Sequence, residues 1–172
     1  MWRCVLGALC AFAIGCSDDG SADLAVDVVT NLPDGTGTGT TASGEYDVEL
    51  YTAACGGGCV VDYQGFTISL CDVGSRDSVT LTVTQTEGHL QVDVPDDSLY
   101  VTRLEGGIDE AGGFDVGGYA TQQGGAVAIT ARVRGTLVDG ALAGTALAHG
   151  DGNVDGHGLD CIATYELTGT RR

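Results

Sequence analysis

The sequence predicts an all-β protein, an eight-stranded antiparallel up-and-down barrel or meander stapled by disulfides at one rim. Three observations carry that prediction. From Gly44 onward apolar and polar residues alternate with the two-residue period of a half-buried strand, and no segment sustains a helical period. Eight such segments follow one another at short spacing, as in a meander. Four cysteines, Cys55, Cys59, Cys71 and Cys161, fall where strand parity gathers them at one end.

The 172 residues include 24 acidic and only 7 basic side chains, all of them arginine, for a formal net charge of −17. Nucleic acid is excluded as a partner, and so is charge-driven docking on an anionic membrane, because both need a basic footprint. With 29 glycines and 43% hydrophobic residues the chain is too apolar for a disordered acidic tail, and its length suits one folded domain.

Residues 1–15 read as a signal peptide. Met1-Trp2-Arg3 supplies one positive charge, and Val5 to Ile14 is an apolar run too short for a transmembrane helix, which needs roughly 20 residues. The run ends in Ala13-Ile14-Gly15-Cys16, followed by Ser17. This resembles the lipobox of bacterial lipoproteins, with Ala13 where that family usually has Leu. The resemblance implies that Cys16 becomes the acylated N-terminus, and Ser17 in place of Asp implies sorting to the outer membrane. The other reading is an ordinary secretory signal cut at Ala11-Phe12-Ala13, which leaves a soluble secreted or periplasmic protein.

Residues 16–43 read as the lipidated cysteine and a flexible tether, containing Pro33-Asp34-Gly35 and an alternating Gly/Thr tract. A coil of that length spans roughly 27–31 Å. Leu24 to Val29 is apolar enough to dock as an additional strand.

The barrel occupies residues 44–172. Its strands are read from the alternations Tyr46-Val48-Leu50, Val79-Leu81-Val83, Leu90-Val92-Val94, Leu104-Gly106-Ile108, Phe114-Val116-Gly118 and Val127-Ile129-Ala131-Val133. Ala141 to Ala148 and Ala163-Tyr165-Leu167 complete the set. The outward Thr stripe with Arg132 and Arg134 reads as a solvated face. If the first strand starts at the bottom, the bottom connections are tight: Glu87-Gly88, Asp109 to Gly112 and Asp139-Gly140. Asp-Gly is a favoured hairpin turn. The top connections, 54–77, 95–98, 120–125 and 149–160, are longer, so a ligand mouth is expected at the top, away from the tether.

An exported chain with an even cysteine count predicts two disulfides. Three pairings are open; the preferred one joins Cys55 to Cys59 across Gly56-Gly57-Gly58 and Cys71 to Cys161. Redox chemistry is disfavoured, because CxxxC is not the CxxC spacing and no βαβ unit surrounds it.

The densest set of candidate ligands is His149, Asp151, Asn153, Asp155, His157 and Asp160. Asp151-x-Asn153-x-Asp155-Gly156 copies the first half of an EF-hand loop, with oxygens at alternate positions and Gly at the sharp turn. The twelfth position is Ile162 rather than Glu. Asp62, Asp72, Asp96 and Asp97 are top-rim acids able to complete a Ca²⁺ shell, whereas His149 and His157 suit zinc or copper. The alternative is a solvated loop whose Asp, Asn and Gly serve turn chemistry.

Residues 44–170 resemble lipocalin-like and avidin-like meander barrels by pattern; the lipocalin G-x-W entrance reads Gly44-Glu45-Tyr46 here. No G-x-S-x-G elbow occurs, and His89 lies at the opposite end from His149 and His157. The expected protein is therefore a monomeric, non-enzymatic envelope lipoprotein, held at the membrane by its N-terminal lipid and binding a small ligand or a cation at its loop end. The alternative is a structural or interaction protein with a filled barrel.

Overall fold

The computed structural model describes residues 21–63, 66–95, 100–154 and 156–172. The strands are β1 (Gly44–Gly58), β2 (Val60–Tyr63), β3 (Phe66–Ser69), β4 (Arg76–Thr86) and β5 (His89–Asp93), followed by β6 (Arg103–Ile108), β7 (Gly113–Gln122), β8 (Val127–Val138), β9 (Ala141–Val154) and β10 (His157–Arg171). Eight of them close an antiparallel barrel in the order β1-β10-β9-β8-β7-β6-β5-β4, with β4 pairing back onto β1. These are the eight segments read from the alternation. β2 and β3 form a separate two-stranded sheet inserted between β1 and β4.

The alternation works as the period requires. On β1 Tyr46, Val48 and Leu50 are buried while Glu45, Asp47 and Glu49 are exposed. At the bottom, Asp139 and Gly140 both take positive φ, 52° and 77°, the geometry of a two-residue turn matched to strand twist. Larger side chains and small ones share the interior. Tyr46 fills the lower end and donates its hydroxyl to the Ala42 carbonyl at 2.9 Å, and Ala131 and Ala146 are fully buried. Only about 20 Å³ remains open among Leu81, Leu90, Leu104, Phe114, Val116 and Leu167. That is about the space of one water, and its apolar lining offers a water no hydrogen bond. Among these described residues the interior is filled.

Three departures from the sequence reading bear on function. The insertion expected as a loop over 54–77 contains the tail of β1 and the β2–β3 hairpin. The loop expected over 149–160 is strand: β9 runs to Val154 and β10 starts at His157, in register from His157↔Val154 to Cys161↔Gly150 and beyond. Gly150, Gly152 and Gly158 carry no side chain to alternate, so the strand period is invisible there while the backbone ladder continues.

The third departure is the expected flexible tether. From Ser21 onward it is a docked strap. A 3-10 turn (Ser21–Leu24) packs on β8 and β9, and a short helix, α1 (Val26–Val29), packs on β7 and β8. The apolar Leu24–Val29 stretch thus docks as a turn and helix rather than as a strand. Leu24 and Val29 are buried at 2% and 1% exposure, outside the barrel interior. The strap then descends past β6 to the bottom rim, where Gly35 N donates to Gly88 O (2.9 Å) and Gly37 N to Ile108 O (2.8 Å). Its track is cut in glycine. A Cβ on Gly117 would stand 2.6 Å from the Val29 carbonyl oxygen, and one on Gly107 would stand 2.4 Å from Gly35 N. Cys16 and residues 1–15 lie outside the described residues.

Candidate functional site

The four barrel cysteines meet at the top rim as expected, but the preferred pairing is corrected. The bonds are Cys55–Cys71 and Cys59–Cys161. Gly56-Gly57-Gly58 does not turn the chain back on itself; it continues β1, pairing with Ile162, Cys161 and Asp160. With Gly56 to Gly58 held in the ladder against β10, Cys59 is set beside Cys161, Cα to Cα 4.4 Å, rather than folded back onto Cys55. A bulge at Thr52/Ala54 inserts one residue and flips the face of everything after it, so Cys55 lies opposite buried Ala163 rather than following the outward-facing Glu49 and Tyr51. The two bonds brace the β2–β3 insertion against β1 and β10. Around it Val60, Leu70, Val73 and, from the β5–β6 connection, Tyr100 are exposed.

The candidate cation ligands are spread over the β9–β10 ribbon. His149 Nε2 lies 2.9 Å from Asp160 Oδ1, and Asp160 is in direct register with Asp151, so these three share one face. Asn153 Oδ1 is occupied in the turn, accepting from Gly156 N at 2.7 Å. His157, three positions before Asp160 on β10, belongs to the opposite face of the ribbon. Asp155, Asp96 and Asp97 lie outside the described residues. Asp72 is exposed within the insertion, between β3 and β4. Among the described residues no group of three His, Cys, Asp or Glu side chains is arranged to hold a metal ion.

The outward arginines were read as a solvated stripe, and Arg132 overturns that reading with a side chain only 10% exposed. Its guanidinium grips Asp115 with two hydrogen bonds, Nε to Oδ1 at 2.8 Å and Nη2 to Oδ2 at 2.7 Å, and reaches Asp23 of the strap at 3.3 Å. Arg134 joins the same two carboxylates, at 2.9 Å to Asp23 and 3.2 Å to Asp115. The four charges alternate in sign, so each guanidinium meets two carboxylates and the strap is fastened to the barrel. Hydrogen bonding from Arg134 holds the Asp23 carboxyl below the usual range. Burial alone pushes Asp115 up, but the hydrogen bonds from Arg132 and Arg134 outweigh it and leave that carboxyl lowered too. Lower down, His89 Nδ1 lies 2.8 Å from Asp34 Oδ1, adding a second contact to the strap. The cue in the sequence was an Asp directly before apolar Leu24, together with Asp115, Arg132 and Arg134 at outward positions of neighbouring strands.

Among the described residues, a wide concavity opens at the end opposite the expected mouth. A bowl of about 1200 Å³ lies at the bottom rim, between the strap at Gly37–Ala42, the β6–β7 and β8–β9 turns, and the C-terminal arginines. Asp109 closes its own turn there, accepting from the amides of Ala111 and Gly113 at 2.8 Å each. Arg171 spans the rim to the Thr41 carbonyl at 3.1 Å. Comparison of the chain with protein-family models, with curated proteins and with solved structures returned no match.

Proposed function

We propose that this chain is an exported, N-terminally lipid-anchored envelope protein whose barrel is a rigid structural and interaction module, neither a ligand carrier nor an enzyme. The observation that carries the reading is the filled interior: about 20 Å³ of apolar space leaves no room for a small organic ligand. Two disulfides support an oxidising compartment. The exposed Val60, Leu70 and Val73, presented on the covalently braced insertion, favour a surface that works by contact. Lipidation rests on Ala13-Ile14-Gly15-Cys16 in the sequence.

Intact-mass and N-terminal peptide analysis of protein taken from membranes tests the anchor. Acylated Cys16 is expected, and an unmodified chain beginning at Ile14 overturns it. Native mass spectrometry of the purified domain tests the rest, because a stoichiometric apolar molecule released on denaturation is incompatible with a filled barrel.

A second reading, cation binding at the β9–β10 ribbon, is favoured by the Asp151↔Asp160 register and the 2.9 Å contact from His149 to Asp160. It predicts a rise in melting temperature with millimolar Ca²⁺ or micromolar Zn²⁺ that Asp151→Asn and Asp160→Asn abolish. No rise in either metal ends it.

A further inference from the structure

We infer that the bowl at the bottom rim binds a short zwitterionic peptide, Arg171 receiving its carboxylate and Glu110 and Asp139 its ammonium. The bowl lies outside the filled interior. The inference therefore goes beyond the reading of the barrel as an interaction module, and it does not depend on lipidation. Its first support is an arginine left unpaired amid an excess of acid. The chain carries 24 acidic residues against 7 arginines. Among the described residues Arg76 meets Glu49, Arg103 meets Asp93, and Arg172 meets Asp47. Arg132 and Arg134 share Asp23 and Asp115. Arg171 is the one described arginine with no carboxylate partner. Its Nη1 donates to the Thr41 carbonyl at 3.1 Å, and no hydrogen bond among the described residues engages Nε or Nη2. Those two atoms form the edge by which Arg132 grips Asp115, so Arg171 keeps a fork fitted to a carboxylate. Gly44 makes room for it, since a Cβ there would stand 2.7 Å from Arg171 Nε.

The second support is a fixed surround of about 1200 Å³, roomy enough for a few residues of peptide. Its wall from Thr38 to Ala42 is pinned by buried Gln85, which accepts from Ala42 N at 2.8 Å and donates to Glu87 O at 2.9 Å. Val138, 46% exposed, adds an apolar face for a peptide's side chains. A second concavity, about 570 Å³ over β1 and β10, also holds an arginine, but that Arg172 is engaged by Asp47 and Thr80.

The third support decides the ligand's charge. Glu110 and Asp139 line the same bowl, and among the described residues neither carboxylate forms an ion pair or a hydrogen bond. Asp109 differs, because its Oδ1 closes its own turn. In a chain of −17 a simple anion approaching Arg171 meets repulsion from these rim acids. An ammonium on the same ligand turns that repulsion into attraction.

The probe is trialanine, titrated into the isotope-labelled, disulfide-intact protein and followed by amide chemical shifts. Saturable shifts centred on residues 108–112, 137–141 and 170–172 are expected, with a dissociation constant below about 1 mM. Arg171→Gln should weaken binding at least about tenfold, and Arg171→Lys, which keeps the charge without the fork, by a smaller factor. N-acetylated and C-amidated trialanine, each lacking one charge, should bind several-fold more weakly than the free peptide. Glu110→Gln combined with Asp139→Asn should weaken trialanine several-fold and leave the N-acetylated form unchanged or tighter. These two changes keep the fold, because Asn accepts the positive φ of 52° at position 139 and Glu110 is exposed in a turn. Equal binding of either blocked peptide overturns the zwitterion assignment. No saturable shift at about 10 mM trialanine, or undiminished binding by Arg171→Gln, overturns the site.

Discussion

The β2–β3 insertion, residues 59–75, and the N-terminal strap, residues 21–43, are two lengths of chain laid against the outside of one barrel by different chemistry. The insertion is held by two covalent bonds, Cys55–Cys71 and Cys59–Cys161, and leaves several apolar side chains in solvent. The strap carries no disulfide to the barrel. It is held by buried Leu24 and Val29, by backbone hydrogen bonds at Gly35 and Gly37, and by the Asp23–Arg132–Asp115–Arg134 quartet. A short hairpin with few buried contacts cannot order itself, so cross-links restrict its alternatives. A segment lying in a glycine-lined track buries enough to stay down but can come off locally without unfolding the barrel.

Removing the cross-links should have the largest effect. Cys59–Cys161 closes a loop of 102 residues and Cys55–Cys71 one of 16. On chain entropy the first stabilises by about 4.7 kcal/mol and the second by about 3 kcal/mol. Urea unfolding of the paired Ala variants should rank them in that order. Equal losses would mean that the barrel ladder between β1 and β10 already imposes what the long-range bond was thought to supply.

Undocking the strap comes next. Leu24→Ala should cost about 2–3 kcal/mol of strap stability. Gly117→Val places branched bulk where even a Cβ meets the Val29 carbonyl oxygen at 2.6 Å. In both variants, amide exchange at Val28 and Val29 should accelerate strongly while exchange in β1 and β10 stays near the parent rate. Acceleration throughout the barrel would instead make the strap part of the fold's cooperative unit.

The same contrast explains what could be read in advance. Strand number, up-and-down order and the gathering of four cysteines follow from alternation and parity, which side chains such as Tyr46, Val48 and Leu50 write directly into the sequence; closure does not, because it is made by the β4–β1 pairing. The disulfide pairing did not follow, because one bulged residue between Thr52 and Ala54 reverses the parity of Cys55 and no side-chain pattern announces a bulge. The β9–β10 ribbon was taken for a loop because Gly150, Gly152 and Gly158 leave the strand period blank. The strap was hidden for a related reason. Gly88, Gly107 and Gly117 are recesses only when another segment lies in them, a tertiary fact with no local signature. Arg132 was misjudged with it, since what buries an outward arginine is chain 109 residues away in sequence.

The smallest predicted effect is electrostatic, and it separates the two regions most cleanly. Asp23 and Asp115 both have carboxyls lowered in the folded protein, so each binds its proton less readily there than in the unfolded chain. Their stabilisation is therefore fully present above the unfolded carboxylate value of about 3.9 and is lost as pH falls through the lower folded values. Disulfides do not titrate over this range, so the insertion should be indifferent. Asp47 and Asp93, whose carboxyls are also lowered, act within the barrel wall and make global stability a poor readout. Protection of the strap amides relative to the barrel amides is the better one. It should be level from neutral pH to about pH 4 and decline below it, and Asp23→Asn should flatten the decline. Because Asp23 is half exposed, high salt should shrink the difference between parent and variant. A decline that persists unchanged in Asp23→Asn would place the strap's retention in Leu24, Val29 and the glycine track alone, with the charge quartet serving only to keep Arg132 paired where it is buried.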